Sequence, residues 1–370
     1  MEKASPIHAL VVVTTRYGKN GITGVVKNYA GKIPPEQVVF DYVFINEPTP
    51  QEAEAIAARG GKYWVYPRRN RNPLGYERWL RGILRAGKYD LIHAHGNSAT
   101  LFFEMHGAKK AGIPLRIAHS HNTKTGFPLV HRLLHGTFLQ NTTHCLACGT
   151  AAGKWLFGDR DFTVMPNAID TGRFTFDPAD RERARRALGL GAGRVYVHVG
   201  SFIPAKNHRF LLRAFARILE LDPEAALLLA GEGYLMEETR QLADALQIAH
   251  RVQFLGSGRD VKDVYAAGDV FLLPSLHEGL PLTLLEAQSM GLVCLASDAV
   301  TREANVTGLV HYRPLQEGPE AFGEGACALA PLSEGERLTA RAGVVKAGFD
   351  IESRAAELTA FYKNCLAGQN

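Results

Sequence analysis

A chain of 370 residues has room for two domains, and 46% apolar with 21% charged residues excludes a disordered one. No apolar run approaches the ~20 residues of a membrane span, and five cysteines, odd and sparse, indicate reduced thiols rather than a disulfide framework. A net charge of +5 is too mild to argue for nucleic acid.

The opening segment MEKASP leads straight into an apolar run and lacks the pattern of a signal peptide, so a cytoplasmic chain is expected. Short apolar runs then alternate with helix-length amphipathic stretches, the signature of βα units and parallel sheets. Strands are predicted at Ile7–Thr15, Val38–Ile45, Tyr63–Tyr66, Leu91–His95, Leu115–His119, Thr143–Ala147 and Thr163–Met165. Helices are predicted at Gln51–Arg59, Leu74–Ala86, Ala99–Ala111 and Thr150–Phe157. Residues 167–193 are polar and broken, and predict a linker carrying one short charged helix. The alternation restarts with strands at Val195–Val199, Ala226–Ala230, Val252–Phe254, Val270–Leu273, Val293–Ala296 and Leu309–Tyr312, and a last helix at Glu352–Leu366. The expected fold is therefore α/β: two Rossmann-like, doubly wound parallel-sheet domains at 1–166 and 194–348, with 349–370 crossing back to the first. Such sheets take ligands beyond the carboxyl ends of their strands, so two facing halves place a cleft between them.

The most informative stretch is PSLHEGLPLTLLEAQSM, Pro274–Met290. An apolar strand ends at Pro274, a loop carries Glu278 and Gly279, and a helix starts near Pro281, where proline's missing N–H costs nothing. Glu278 precedes the helix and Glu286 lies inside it, so both can face one ligand. Helix-start amides suit phosphate and carboxylates suit sugar hydroxyls. Taken alone, the two glutamates also fit an ordinary helix-start charge and a surface ion pair.

Several stretches in fixed order change that balance. VHVGSFIPAKNHRFLLRAF (Val197–Phe215), LLLAGEGYLMEE (Leu227–Glu238), VQFLGSGRDVKDVYAAGDVFLLPS (Val252–Ser275) and VMPNAID (Val164–Asp170) accompany the two glutamates. Together they resemble the retaining GT-B glycosyltransferases of family 4, and the Glu278–Glu286 spacing resembles that family's E-x7-E signature. DLIHAHGN (Asp90–Asn97) and RIAHSHNT (Arg116–Thr123) are most similar to the bacterial capsule and exopolysaccharide members. The resemblance implies that Lys206 neutralises the donor diphosphate, Glu278 touches hydroxyls of the transferred sugar and Glu286 holds the ribose. It implies that Gly279, Leu280 and Pro281 present backbone to sugar and phosphates. Where the family usually has a second phosphate cation this chain has Ser201, after Gly200, so that either Lys206 alone suffices or Arg209 or another basic residue substitutes. Gly21 and Ile22, in the glycine-rich loop Tyr17–Gly24, become donor contacts from the other half.

His93, His95, His119 and His121 cluster at two strand ends, each alternating pair on one face. A metal site, core or capping histidines, and one histidine near donor and acceptor all fit. No carboxylate completes a ligand spacing, so no metal is expected. The resemblance favours His121 or His119 near the sugar, with His121 preferred.

Asp159-Arg160-Asp161 and Cys145-Leu146-Ala147-Cys148 are expected to be a solvated turn and buried thiols. Between residues 62 and 88 eight basic residues accompany one acid, Glu77. Arg78, Arg81 and Arg85 share a helical stripe near Trp79, which suits either an anionic membrane surface or a solvated helix.

The resulting expectation is a metal-independent, retaining glycosyltransferase without cofactor, peripheral on the inner face of the plasma membrane. It takes a UDP-sugar donor and a lipid-linked saccharide acceptor, and it does not bind nucleic acid. A nucleotide-sugar epimerase and a non-catalytic two-lobed binding protein are the rivals.

Overall fold

The computed structural model describes residues 5–18 and 21–368 and divides into two units, 1–168 with 351–370, and 169–350. The opening residues 1–4, and Lys19 and Asn20 of the first glycine-rich loop, lie outside the described residues.

The first unit holds a seven-stranded sheet: β1 (Ile7–Val13), β2 (Val38–Phe44), β3 (Tyr63–Val65), β4 (Leu91–Gly96), β5 (Leu115–Ser120), β6 (His144–Ala147) and β7 (Thr163–Val164). Their order is β3-β2-β1-β4-β5-β6-β7, and the paired strands run parallel. A parallel strand covered on both faces is apolar throughout, as IHALVVV is in β1. One face packs on helices Gly21–Lys32 and Ile351–Ala367 through Val25, Tyr29, Leu358 and Tyr362. The other packs on Pro73–Gly87, Phe102–Ala111 and Pro128–Asn141 through Leu80, Met105 and Phe138.

The basic helix Pro73–Gly87 buries its apolar stripe, Tyr76, Leu80 and Leu84, on its own sheet. Trp79 is half-buried in a ring cluster with Tyr66 and Tyr76. Arg81 lies 4.0 Å from Glu77, and Arg85 donates to the Lys110 carbonyl, while Arg78 is exposed. Arg69, counted among the eight basic residues, is 5% exposed and forms a two-pronged ion pair with the buried Glu104 at 2.6 and 2.9 Å. The charge that sequence assigns to a surface is thus partly internal.

The second unit holds β8 (Val195–Val199), β9 (Ala226–Ala230), β10 (Val252–Gly256), β11 (Val270–Leu273), β12 (Val293–Ser297) and β13 (Val310–Arg313). Their order is β10-β9-β8-β11-β12-β13, so the winding direction reverses between β8 and β11. Most of the predicted linker belongs to this unit. Helix Pro178–Ala187 packs on helix Val261–Ala267, and Arg181 and Arg185 grip Asp269 at 2.6 and 3.3 Å. The same arginines donate to carbonyls of residues 266–268. A helix docked by arginine forks shows no apolar stripe, which is why its polarity suggested a linker. Helices Gly21–Lys32, Pro128–Asn141 and Gly318–Ala328 were not foreseen. The first opens at a glycine-rich loop, and the second leaves Leu129 and Leu133 exposed.

Arg69→Ala leaves Glu104 buried and uncompensated, and should destabilise the first unit by ~3–5 kcal/mol. Chemical denaturation of R69A against the R69M/E104L pair measures this, with the double variant recovering most of the loss.

Candidate active site

In an open α/β sheet the loops diverge where the winding reverses, and the space beyond the strand ends receives the ligand. In the second unit that point lies between β8 and β11, and the loops leaving them are 200–207 and 274–281. The two loops are stitched together. The Leu276 N–H donates to the Ala205 carbonyl at 2.8 Å, and Asn207 Nδ2 donates to the Pro274 carbonyl at 3.2 Å.

Across this stitch lie the two residues the motifs singled out. Lys206 Nζ donates to Glu278 Oε1 at 2.5 Å, with side chains 17% and 14% exposed. Ser275 Oγ donates to the same carboxylate oxygen at 2.9 Å, and Ser297 Oγ holds the Ser275 carbonyl. Glycine makes the approach possible. A Cβ on Gly200 would stand 3.3 Å from Lys206 Cδ and 3.0 Å from His198 Nε2. Gly231, at φ +144°, abuts the Gly200 carbonyl, which a Cβ would meet at 2.0 Å. The run Gly231-Glu232-Gly233 therefore serves to bring two loop backbones into contact.

Glu286 sits inside helix Leu282–Ser289, and its Oε2 accepts from the Tyr265 hydroxyl at 2.8 Å. Burial outweighs that bond and the nearby Arg173, and pushes the carboxyl up to about 7. At the same helix start Gly279 is exposed, Leu280 packs against the core, and Pro281 is buried. No side chain caps this helix. Ser201 and Arg209 are exposed, and among the described residues neither side chain is bonded to the Lys206–Glu278 pair.

Three neighbours escaped the sequence. His198 donates from Nδ1 to the Leu272 carbonyl at 2.8 Å and leaves Nε2, under Gly200, buried without a partner among the described residues. Burial and the Lys206 charge push it down to about 4. Thr283 Oγ1, in the first turn of the helix, is buried without a partner among the described residues. Tyr265 is the hydroxyl on Glu286. The alternation in VYVHVG could have flagged His198, but nothing local distinguishes Thr283 or Tyr265 from core residues.

In the first unit Gly21 opens helix Gly21–Lys32, Ile22 is partly buried, and a Cβ on Gly21 would meet nothing within 4 Å. His119 is 2% exposed on β5, and His121 lies just past it with its N–H on Asn97 Oδ1 at 3.3 Å. No disulfide joins any of the five cysteines, all of them among the described residues, and burial pushes the Cys145 thiol up to about 11. Asp159 and Asp161 are exposed. No helix among the described residues is long and apolar enough to cross a membrane.

The chain is similar to known proteins in both sequence and fold. The family model for Glycosyl transferases group 1 matches residues 193–330, and that for Glycosyltransferase Family 4 matches 31–173. EpsF of Bacillus subtilis (strain 168), named as a glycosyltransferase, is 33% identical over 365 residues, covering 95% of each chain. An Escherichia coli enzyme, named UDP-Gal:alpha-D-GlcNAc-diphosphoundecaprenol alpha-1,3-galactosyltransferase, is 30% identical over 59% of this chain and 60% of its own. Among solved structures, HepE of Anabaena in complex with UDP and glucose aligns over 97% of this chain and 100% of its own. Its TM-score is 0.76 at 17% identity, a likeness of fold. With a relative of that identity along nearly its whole length, and both halves matched, the chain belongs to the family 4, group 1 glycosyltransferases, on a GT-B fold.

Proposed function

We propose that the protein is a retaining glycosyltransferase that moves a sugar from a UDP-sugar to a lipid-linked saccharide during assembly of a surface polysaccharide. The observation that carries this is the meeting of Lys206 and Glu278 at the β8/β11 switch point. In the structure each charge satisfies the other. A donor separates them: the diphosphate takes the Lys206 ammonium, and a hydroxyl of the hexose donates to the Glu278 carboxylate. Amides at the uncapped start of helix Leu282–Ser289 share the phosphate charge, with Gly279 giving the sugar unobstructed backbone. Glu286 accepts the ribose hydroxyls. Arg209 and Ser201 flank the phosphates.

These groups stabilise the departing nucleotide diphosphate, so turnover needs no divalent cation. Retention follows from attack on the face the diphosphate leaves, with a phosphate oxygen taking the acceptor's proton. In the first unit we assign Gly21 and Ile22 to the donor, and His121 rather than the sealed His119 to the sugar. The acceptor class is supported by the E. coli relative, whose name gives a diphosphoundecaprenol-linked sugar as its acceptor. Peripheral contact with an anionic membrane is supported by the exposed Arg78 and Arg85, and by the exposed Leu129 and Leu133.

A thermal-shift panel of UDP-, GDP- and ADP-sugars tests the donor. A UDP-sugar should raise the melting temperature, since it binds only the folded form. Lys206→Ala should abolish that shift and lower turnover by roughly 100-fold, with no change when Mg²⁺ or Mn²⁺ is added to the wild type. An unchanged shift in K206A would overturn the assignment.

Glu286 gives a pH test. Its carboxyl titrates near 7 when folded, against about 4.5 when unfolded. Stability is therefore unpenalised below pH ~4.5 and falls as pH rises towards 7, where the unfolded state has released the proton and the folded state still holds it. Glu286→Gln should melt higher than the wild type at pH 8 and equally at pH 4.5, while binding the donor more weakly. Melting curves across that range read the gap.

A further inference from the structure

His93, His95, His119 and His121 occupy alternate positions of β4 and of β5 and the residue just beyond it, so all four rings leave the same sheet face. That face is covered by helices Gly21–Lys32 and Ile351–Ala367, and its neighbouring positions are aliphatic, such as Leu91 and Ile117. Imidazoles are an unusual filling for such a place. The rings stack along each strand at 4.2 Å between centroids. Across the strands His93 Nε2 lies 3.1 Å from His119 Nδ1, and His95 Nδ1 lies 2.9 Å from His121 Nε2. The outer nitrogen of His93, Nδ1, lies 2.6 Å from the Tyr362 hydroxyl of the last helix.

The network does not close. Among the described residues His119 Nε2 and His121 Nδ1 are buried without a partner, at a cost of ~1–3 kcal/mol each. A cavity of about 20 Å³ adjoins His93, His95 and His119, bounded by Val25, Tyr29 and Tyr362. It is large enough for one water.

We propose that His93, His95 and His119 form a buried three-histidine site for one zinc-class divalent ion, fastening the last helix to the sheet. Each of the three offers a ring nitrogen, and those atoms lie within 4.8 Å of one another. The 3.1 Å between His93 Nε2 and His119 Nδ1 is already close to the edge of a tetrahedron built on ~2.0–2.1 Å metal–nitrogen bonds. The proton positions also fit. With Nε2 of His93 and His95 as ligands, their Nδ1–H groups donate to Tyr362 Oη and His121 Nε2, both in place. Such outer bonds fix the tautomer of a ligating histidine. His119 then ligates through Nδ1 and carries its proton on Nε2. Each ring keeps one proton, so the ion enters without proton release. Three imidazoles and a water in the cavity suit zinc, nickel or cobalt rather than calcium or magnesium.

The test uses tag-free, full-length protein freed of metal by chelator and titrated with Co²⁺ or Zn²⁺. One ion per chain, a tetrahedral cobalt visible spectrum and a higher melting temperature are expected. His93→Gln and His119→Gln should lose the spectrum and bind at least ~100-fold more weakly, and Tyr362→Phe should keep it with ~10-fold lower affinity. The paired substitution of His131 and His135 by Gln, on a different helix, should bind as the wild type does. Circular dichroism and a single cooperative melting transition in metal-free buffer, both compared with the wild type, verify folding of each variant. Failure of the wild type to take up stoichiometric ion overturns the site, as does full binding by H93Q and H119Q.

Discussion

The ion pair between Lys206 and Glu278 is the constraint around which the second unit is arranged. Two loops leaving adjacent parallel strands at a winding reversal tend to splay apart. Here backbone bonds from Leu276 and Asn207 close them, and Gly200 and Gly231 remove the side chains that would hold them off. The result sets a cation against a carboxylate in partly desolvated surroundings, where opposite charge is felt more strongly than in water. Separating such a pair is costly unless both partners are satisfied at once. A sugar nucleotide does that, carrying an anion for the lysine and a hydroxyl donor for the glutamate. A bare phosphate satisfies only one of them. On the proposed reading the pair therefore selects for an intact activated sugar.

Around this pair stability yields to recognition. Glu286 is kept in surroundings that disfavour its charged form, held by a single tyrosine hydroxyl. His198 and Thr283 leave buried polar atoms unpartnered beside the same loops. Unmet polar groups cost free energy in an empty protein and are tolerated where a ligand supplies the missing bonds. The histidine tetrad in the first unit shows the same unmet bonding, on residues far from the switch-point loops in sequence.

Much of this was legible in the sequence because parallel strands covered on both faces read as apolar runs, and β8, β9, β11 and β12 are nearly unbroken ones. Lys206 and Glu278 were legible because their loops follow those runs, but only the resemblance gave them a shared role. What stayed hidden depends on contacts between distant segments. Arg181 and Arg185 looked like a solvated linker because their partners are carbonyls some 80 residues away. Arg69 looked like surface charge because Glu104 lies 35 residues on. Tyr265 bonds a glutamate 21 residues downstream and so resembled any core tyrosine. The histidines were visible as a cluster, but their ring-to-ring bonds and the Tyr362 contact arise only when β4, β5 and the last helix meet.

Calorimetric titration of wild type and Glu278→Gln with UDP and with a UDP-hexose tests the central claim most directly. If Lys206 must leave Glu278 to meet the diphosphate, the variant will bind UDP at least as tightly as the wild type does. It will also lose the extra affinity that the hexose confers. Equal weakening towards both ligands, or no change towards either, would contradict the account.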